Sequence, residues 1–279
     1  MQLYTIDTER FKLDGGAMFG VVPKVLWNKV HPADENNLCT WAMRLLLVED
    51  GDRLILIDTG IGDKQDEKFF SHYYLHGENT LDKSLARHGF HRDDITDVLL
   101  THLHFDHCGG AVRRNGDKLE PAFRNATFWS NADHWKWATA PNAREKASFL
   151  KENILPIQES GQLKFLDVRE GVPFSEHITI RFVNGHTDAM MLPQISLGDR
   201  TLVYMADLLP SIHHFPMPWV MAYDMFPLTT MQEKAAFLEE ALNHQYILFF
   251  EHDSHTECCT VKRTEKGIKP DEIFLLESI

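Results

Sequence analysis

The sequence has few cysteines and no long apolar run, and each shortage excludes a class of protein. Its 279 residues contain 4 cysteines: Cys39, Cys108 and the adjacent pair Cys258–Cys259. There is no CxxC pair or zinc-ribbon spacing, and a disulfide between adjacent cysteines would be strained, so we expect reduced thiols. No apolar run reaches the roughly 20 residues that a membrane-spanning helix needs, so we expect no membrane partner.

Basic residues are also scarce. The 28 Lys and Arg face 41 Asp and Glu, which gives a net charge of −13 and argues against a nucleic-acid partner. The first residues, 1–7, lack both the basic cluster and the apolar stretch of a signal peptide. Together with the reduced thiols, this predicts a soluble, cytoplasmic protein.

Short apolar runs alternate with amphipathic stretches, which favours an α/β layered fold. No linker or repeat divides the chain, but the pattern alone leaves one domain or two open. The runs with the length and branching of strands are Met43–Glu49, Leu54–Ile57, Asp97–Leu100, Ala126–Trp129, Ile178–Val183, Thr201–Met205 and Tyr246–Phe250.

Helix signals lie between these runs. Thr80 could cap a helix over Leu81–His88, and Asn131 could cap one that ends near Ala138. Residues 142–159 also look helical. Thr230 and Glu233 have the spacing of a capping box, followed by apolar residues on one helical face.

One short segment concentrates residues that bind metals. His102, His104, Asp106 and His107 lie within six residues, directly after the apolar run Val98–Leu100. Alternate residues of a strand face opposite ways, so these side chains can converge only if a loop curls them around a centre. Gly109 and Gly110 follow, and glycine allows a sharp turn there.

Other predicted strands end in residues of the same kind, namely His186, Asp207, His252 and Asp58. Strands of one domain can bring their ends to one rim, so these side chains could meet the first cluster. The resulting ligands exceed what one tetrahedral zinc accepts, and two ions that share a bridging carboxylate fit better.

The combined motif resembles the ligand set of the metallo-β-lactamase-fold hydrolases. His102-x-His104-x-Asp106-His107 is followed in order by His186, Asp207 and His252, and Asp58-Thr59-Gly60 is similar to an early motif of that superfamily. The resemblance extends from about residue 43 to residue 252. It implies a four-layer αββα sandwich, a single domain over residues 1–279, and a metal site at one edge of the two sheets.

The resemblance also implies a role for each of these residues. His102, His104 and His186 would bind the first ion, and Asp106, His107 and His252 the second. Asp207 would bridge the two ions, and Asp58 would orient a ligand or its loop without binding metal. Mixed imidazole and carboxylate ligands suit Zn²⁺ best and leave Mn, Fe or Co open. Such a pair of ions supplies a bridging hydroxide, while Asp106 or Asp207 relays a proton to the leaving group.

Two further segments are similar to loops of the lactonase-like and organophosphate-hydrolase-like members. These are residues 14–23, with Trp27 after them, and residues 206–210, continuing to residues 218–224. Their apolar side chains either wall a substrate pocket or only pack loops onto the sandwich. The candidate pocket residues are Met18, Phe19, Trp27, Phe105, Met217, Trp219 and Met221. Tyr223 could donate a hydrogen bond to a developing oxyanion.

The sequence therefore predicts a dinuclear metal-dependent hydrolase of a small ester-like bond, with an N-acyl homoserine lactone-type ring as the leading substrate. The alternatives are a phosphotriester, aryl-ester or thioester hydrolase with the same site, a mononuclear iron dioxygenase of the persulfide type, and a metal-stabilised binding protein. By analogy with relatives, a homodimer is possible. We expect eight other histidines to be solvated: His31, His72, His76, His88, His91, His134, His177 and His244.

Overall fold

The computed structural model describes residues 1–279 and contains two large sheets that face each other. The strands are β1 Gln2–Asp7, β2 Phe11–Asp14, β3 Leu38–Trp41, β4 Arg44–Asp50, β5 Arg53–Ile57, β6 Asp97–Leu99, β7 Val112–Asn115, β8 Lys118–Pro121, β9 Thr127–Asn131, β10 Leu163–Leu166, β11 Val172–Pro173, β12 Ile178–Val183, β13 Met190–Leu197, β14 Arg200–Tyr204, β15 Ile247–Phe249, β16 Cys258–Thr264 and β17 Gly267–Phe274. The helices are α1 Gly15–Phe19, α2 Lys24–Trp27, α3 Glu67–Phe70, α4 Leu81–Arg87, α5 Phe105–Cys108, α6 Ala132–Thr139, α7 Lys151–Glu159 and α8 Pro227–His244. No helix is both long enough and apolar enough to cross a bilayer.

The first sheet has the order β1-β4-β5-β6-β9-β10, and the second runs in sequence order from β11 to β17. Alternation along the strands makes both faces of the first sheet apolar. In β4, Leu46 and Val48 point into the core between the sheets, whereas Leu45 and Leu47 point to the outer face. Because successive side chains of a strand point to opposite faces, this alternation separates the core between the two sheets from the core on the outer face of the first sheet.

Helices cover the two outer faces. Leu85 of α4, Trp135 of α6 and Ile157 of α7 pack on the outside of the first sheet. Phe237 and Ala241 of α8 belong to the other core and cover the second sheet. The order helix, sheet, sheet, helix is the four-layer αββα sandwich that the resemblance implied.

All seven predicted strands are present, with ends that differ by no more than two residues. The caps at Thr80 and Asn131 are confirmed, since their side chains accept the backbone N–H of Lys83 and of His134. Only the second half of the predicted helix 142–159 forms, as α7.

The predicted capping box at Thr230 and Glu233 is wrong. The helix begins earlier, at Pro227, because the fixed φ of proline suits the first helical turn. Glu233 instead accepts the backbone N–H groups of Asn184 and Gly185, at 2.7 and 2.9 Å. A Cβ on Gly185 would lie 2.3 Å from the nitrogen of Thr230, so only glycine allows this close approach.

A buried lysine of α8 holds the loop over residues 211–219. Lys234 Nζ donates to the carbonyls of His214, Pro216 and Trp219 at 2.9, 3.1 and 2.9 Å. Burial lowers the pKa of this amine to about 8, and no carboxylate pairs with it. Three carbonyl dipoles therefore compensate the buried charge.

Replacing this amine should loosen the loop. We expect Lys234→Met to lower the free energy of unfolding by about 2–4 kcal/mol, because three loop carbonyls lose their donor, one of them fully buried. The measurement is urea unfolding at pH 7. Lys262→Met, which removes only an exposed pair with Asp271, is the matched control and should cost less than about 1 kcal/mol. Equal effects of the two substitutions would contradict the role of Lys234.

Candidate metal centre

The predicted ligand residues all follow the carboxyl ends of strands at one edge of the sandwich. The segment with His102, His104, Asp106 and His107 comes after β6, and α5 forms its last turn. His186 follows β12, Asp207 follows β14 and His252 follows β15. The structure brings all seven side chains together, and each is at least nine-tenths buried.

The seven predicted ligands fall into two groups, and a third group, Asp58 with His107 and Glu251, lies beside the second. The predicted ligands are His102, His104, His186 and Asp207 in the first group and Asp106, His107 and His252 in the second. In the first, His104 Nδ1 lies 3.0 Å from His102 Nε2 and 3.1 Å from His186 Nε2. In the second, His107 Nε2 lies 3.1 Å from His252 Nε2.

The Asp207 carboxylate lies between the two groups. Its Oδ2 is 3.1 Å from His186 Nε2 and 3.5 Å from His107 Nε2, and its Oδ1 is 3.2 Å from His252 Nε2. Asp106 Oδ2 is 3.8 Å from the inward nitrogens of both His107 and His252. Asp207 is therefore placed where a bridging ligand would be.

The outward nitrogen of each histidine is held by an acceptor. His104 Nε2 donates to Glu145 Oε1 at 2.9 Å, His186 Nδ1 to Asp224 Oδ1 at 2.9 Å, and His252 Nδ1 to the carbonyl of Ala42 at 2.8 Å. Because these nitrogens carry the protons, the inward nitrogens present lone pairs.

Asp58 supports two more histidines from behind. Its Oδ2 accepts from His107 Nδ1 at 3.1 Å and from the hydroxyl of Thr101 at 2.7 Å. That hydroxyl in turn accepts from His102 Nδ1 at 3.1 Å. Asp58 thus lies in contact with the outward side of the ligands, as expected for a residue that orients them.

These geometries fit a cation. Lone pairs of neighbouring imidazoles that lie 3.0–3.1 Å apart repel each other unless a positive charge lies between them. Ligand atoms around a tetrahedral zinc at 2.0–2.1 Å are about 3.3–3.4 Å apart, close to the separations here. Asp207 Oδ1 is buried and has no hydrogen-bond donor, which leaves it available to a metal.

The electrostatics of the site agree with this fit. Burial by itself lowers the pKa of His186. The carboxylates of Asp207 and Asp224 favour the positive charge more strongly and raise this pKa to about 10. Burial and the neighbouring histidines hold the pKa of His102 well below its usual range. The carboxylates therefore attract positive charge that the histidines cannot all supply as protons.

Two strand ends adopt left-handed backbone. Asp58 and Ala206 have φ values of 60° and 39°, which cost about 1–2 kcal/mol for residues with a Cβ. The first turn directs the Asp58 carboxylate to the site, and the second directs the carboxylate of Asp207, which follows Ala206.

Glycine is needed at positions 109 and 110 for close packing, which differs from the predicted reason, a sharp turn. A Cβ on Gly110 would lie 2.2 Å from the carbonyl oxygen of Thr59.

A cavity of about 400 Å³ opens above the candidate ligands. Of the predicted pocket residues, Met18, Phe105 and Met221 line it, and so does Tyr223. Phe19 and Trp27 do not reach it, because they stack on each other at 5.3 Å in a core cluster behind its wall. Met217 and Trp219 instead line a separate cavity against α8.

Several residues in contact with the ligands were absent from the sequence prediction. Glu145, Asp224 and Glu251 are buried carboxylates, and Glu251 Oε2 lies 3.0 Å from His107 Nδ1. Burial raises the pKa of Glu251 to about 8. Asp224 lies at the end of the quoted segment 218–224, and Glu251 directly precedes the predicted ligand His252. These two residues therefore lay next to motifs that the sequence offered, whereas Glu145 did not.

The expectation that eight other histidines are solvated is wrong for two of them. His134 is fully buried, and its Nε2 accepts the backbone N–H of Leu103, which fixes the ligand loop. His31 is also buried, stacked on Trp41 at 4.1 Å. The burial of both follows from tertiary packing that their polar sequence neighbours did not indicate.

Comparisons with known proteins support the same assignment. Residues 45–252 match the family described as the metallo-beta-lactamase superfamily. The N-acyl homoserine lactonase AiiA of Bacillus thuringiensis subsp. kurstaki is 28% identical over 165 residues, 56% of each chain. The chain thus spans about half the length of the curated relatives it matches. A probable metallo-hydrolase of Mycobacterium tuberculosis is 32% identical over 109 residues, 34% of this chain and 35% of its own.

Solved structures cover nearly the whole chain. A probable metal-dependent hydrolase from Staphylococcus aureus has a TM-score of 0.88 and 30% identity, covering 98% of this chain and 96% of its own. The dizinc quorum-quenching lactonase AidC, with a product bound, has a TM-score of 0.79 and 23% identity, covering 98% and 95%. The hydrolase AbOPH has a TM-score of 0.80 and 19% identity, covering 98% and 94%; at these identities the last two show the fold alone.

The contact between Glu145 and His104 predicts an effect on metal affinity. Glu145 accepts from His104 Nε2, from Trp137 Nε1 at 2.6 Å and from Asn142 Nδ2 at 3.1 Å. We expect Glu145→Gln to weaken binding of one ion by about 10–100-fold, because the amide cannot accept from all three donors. Zn²⁺ titration against a competing chelator measures it. Glu170→Gln, at an exposed site, is the control, and unchanged affinity for both ions would refute the role of Glu145.

Proposed function

The chain belongs to the metallo-β-lactamase superfamily, and on that premise we propose that it is a dinuclear metallohydrolase that opens a small ester-like bond, with a lactone as its leading substrate. The observation that carries the proposal is the pair of ligand groups joined by one carboxylate, Asp207. His102, His104 and His186 would hold one ion, and Asp106, His107 and His252 the other.

When bound, two divalent ions supply hydroxide near neutral pH and polarise the electrophilic oxygen of the substrate. The protein's own groups complete the chemistry. Asp106 lines the cavity and would carry a proton to the leaving group. Met18, Phe105 and Met221 exclude water from the reacting bond.

The leading substrate class comes from the relatives. Lactonases are among both the sequence relatives and the structural neighbours, and the cavity has apolar walls suited to an acyl chain. A phosphotriester, aryl-ester or thioester hydrolase with the same site is the second candidate, favoured by the likeness to AbOPH. A mononuclear iron dioxygenase of the persulfide type fits poorly, because the second ligand group would then have no ion to hold.

We propose zinc as the metal, because mixed imidazole and carboxylate ligands suit it and the neighbour AidC contains two zinc ions. The cytoplasmic location, the single domain and the homodimer stay predictions. For the homodimer, exposed apolar side chains of the segment 21–30, such as Val21 and Val25, offer a contact surface.

The decisive experiment is a substrate panel with the zinc-loaded protein. We expect hydrolysis of N-acyl homoserine lactones, tested beside a phosphotriester, an aryl ester and a thioester. Asp207→Ala should abolish turnover and lower the zinc content below two ions per chain, because the carboxylate between the two groups is lost. Asp199→Ala, at an exposed turn, is the control. Wild-type activity in Asp207→Ala would refute the dinuclear hydrolase.

Tyr223 provides a separate test of oxyanion stabilisation. Its ring lines the cavity, its hydroxyl has no protein partner, and burial raises the pKa of the phenol, so the hydroxyl stays protonated as a donor. We expect Tyr223→Phe to lower kcat about 10–100-fold with a smaller change in KM. Steady-state kinetics on the best panel substrate measure both constants. An unchanged kcat would remove Tyr223 from the reaction.

A further inference from the structure

The rim of the cavity above the candidate metal centre carries one positive charge. Arg144 is the only Lys or Arg among the 17 residues that line the cavity. It lies in the segment between α6 and α7, directly before Glu145, and its side chain is exposed to solvent. The chain has a net charge of −13, so a basic group here is not a consequence of a generally basic surface.

The guanidinium of Arg144 has no carboxylate partner. Its Nη2 donates to the carbonyl of Ala222, another residue that lines the cavity. A guanidinium has five N–H donors in a fixed plane, so most of them remain free. Arg53 is different, because its Nε and Nη2 donate to the two carboxylate oxygens of Asp97 and are therefore occupied.

The other uncommitted polar groups of the cavity are hydroxyls. Tyr73, Ser148 and Tyr223 line it, and none of their hydroxyls has a hydrogen-bond partner in the protein. A phenol is ordinarily protonated at neutral pH, so the hydroxyls of Tyr73 and Tyr223 are available as donors.

The carboxylates that line the cavity are already engaged. Glu145 accepts from three donors, and Asp106 and Asp207 belong to the candidate metal ligands. The free polar groups of the rim therefore include a cation and hydroxyl donors but no free carboxylate. Such a set complements a group that has several acceptors and a negative charge.

We propose that the substrate carries an anionic group, such as a carboxylate, away from the bond that is hydrolysed, and that Arg144 binds this group. The apolar residues that line the same cavity, Met18, Phe105 and Met221, would contact the segment that joins the two ends of the substrate. This inference rests on the proposed function, because it places the reacting bond at the metal centre.

The test uses two matched acyl homoserine lactones, one with an acyl chain that ends in a carboxylate and one with the methyl ester of that carboxylate. We expect the zinc-loaded wild-type protein to prefer the carboxylate. Arg144→Gln should lower the ratio of kcat/KM for carboxylate over ester about tenfold, mainly through KM, because a charge-assisted hydrogen bond is lost. Arg144→Lys should restore part of the ratio. Arg169→Gln, at an exposed arginine without side-chain partners, is the matched control.

A second measurement separates this inference from the proposed function. The two corresponding lactams, which resist hydrolysis, are titrated into the zinc-loaded protein by calorimetry. Tighter binding of the carboxylate lactam to wild type, reduced in Arg144→Gln, supports the inference even if no lactone is hydrolysed. An equal loss for both compounds in Arg144→Gln would mean that Arg144 only ties the segment at residue 144 to Ala222. Equal binding of both lactams to wild type would also overturn the inference.

Discussion

The candidate centre depends on one constraint: every imidazole around it is fixed through its outward nitrogen. Glu145, Asp224 and the carbonyl of Ala42 each accept from one histidine, and Asp58 supports two more, one of them through Thr101. Because the protons are held outside, the lone pairs meet inside at separations that fit a cation. The sandwich supplies the positions, since parallel and antiparallel strands of both sheets deliver their ends to one edge. Fold and chemistry are thus linked through these acceptors.

The acceptors come from segments far apart in the chain, and this explains how far sequence reasoning could reach. The ligands were predictable because they follow short β-branched runs, and the strand over Ile178–Val183 was placed without error. Glu145 had no such signal. It belongs to a stretch with helical composition, 142–149, that in fact forms turns, and only tertiary contact shows that it faces His104. His134 was missed for the same reason, since local polarity says nothing about burial by a neighbouring loop.

The apolar loops show a similar division. Met18, Phe105 and Met221 reach the cavity, whereas Phe19 and Trp27 stack behind its wall and Trp219 lines a different hollow. All these residues are large and apolar and lie in loops or in helices of four or five residues, so the sequence could not decide which way each side chain points. The direction depends on long-range contacts, such as the hydrogen bond from Ala222 N to the carbonyl of Ala17 and the three carbonyls held by Lys234.

Arg144 and Glu145 are neighbours in sequence with different surroundings. One side chain reaches the solvent-facing mouth, and the other is buried against His104. A shift in this short connection would move both at once. An insertion or deletion in this connection would therefore displace Glu145 from His104 and disturb the candidate metal ligands. Replacement of the Arg144 side chain alone changes the mouth of the cavity and leaves the position of Glu145 in the chain unchanged.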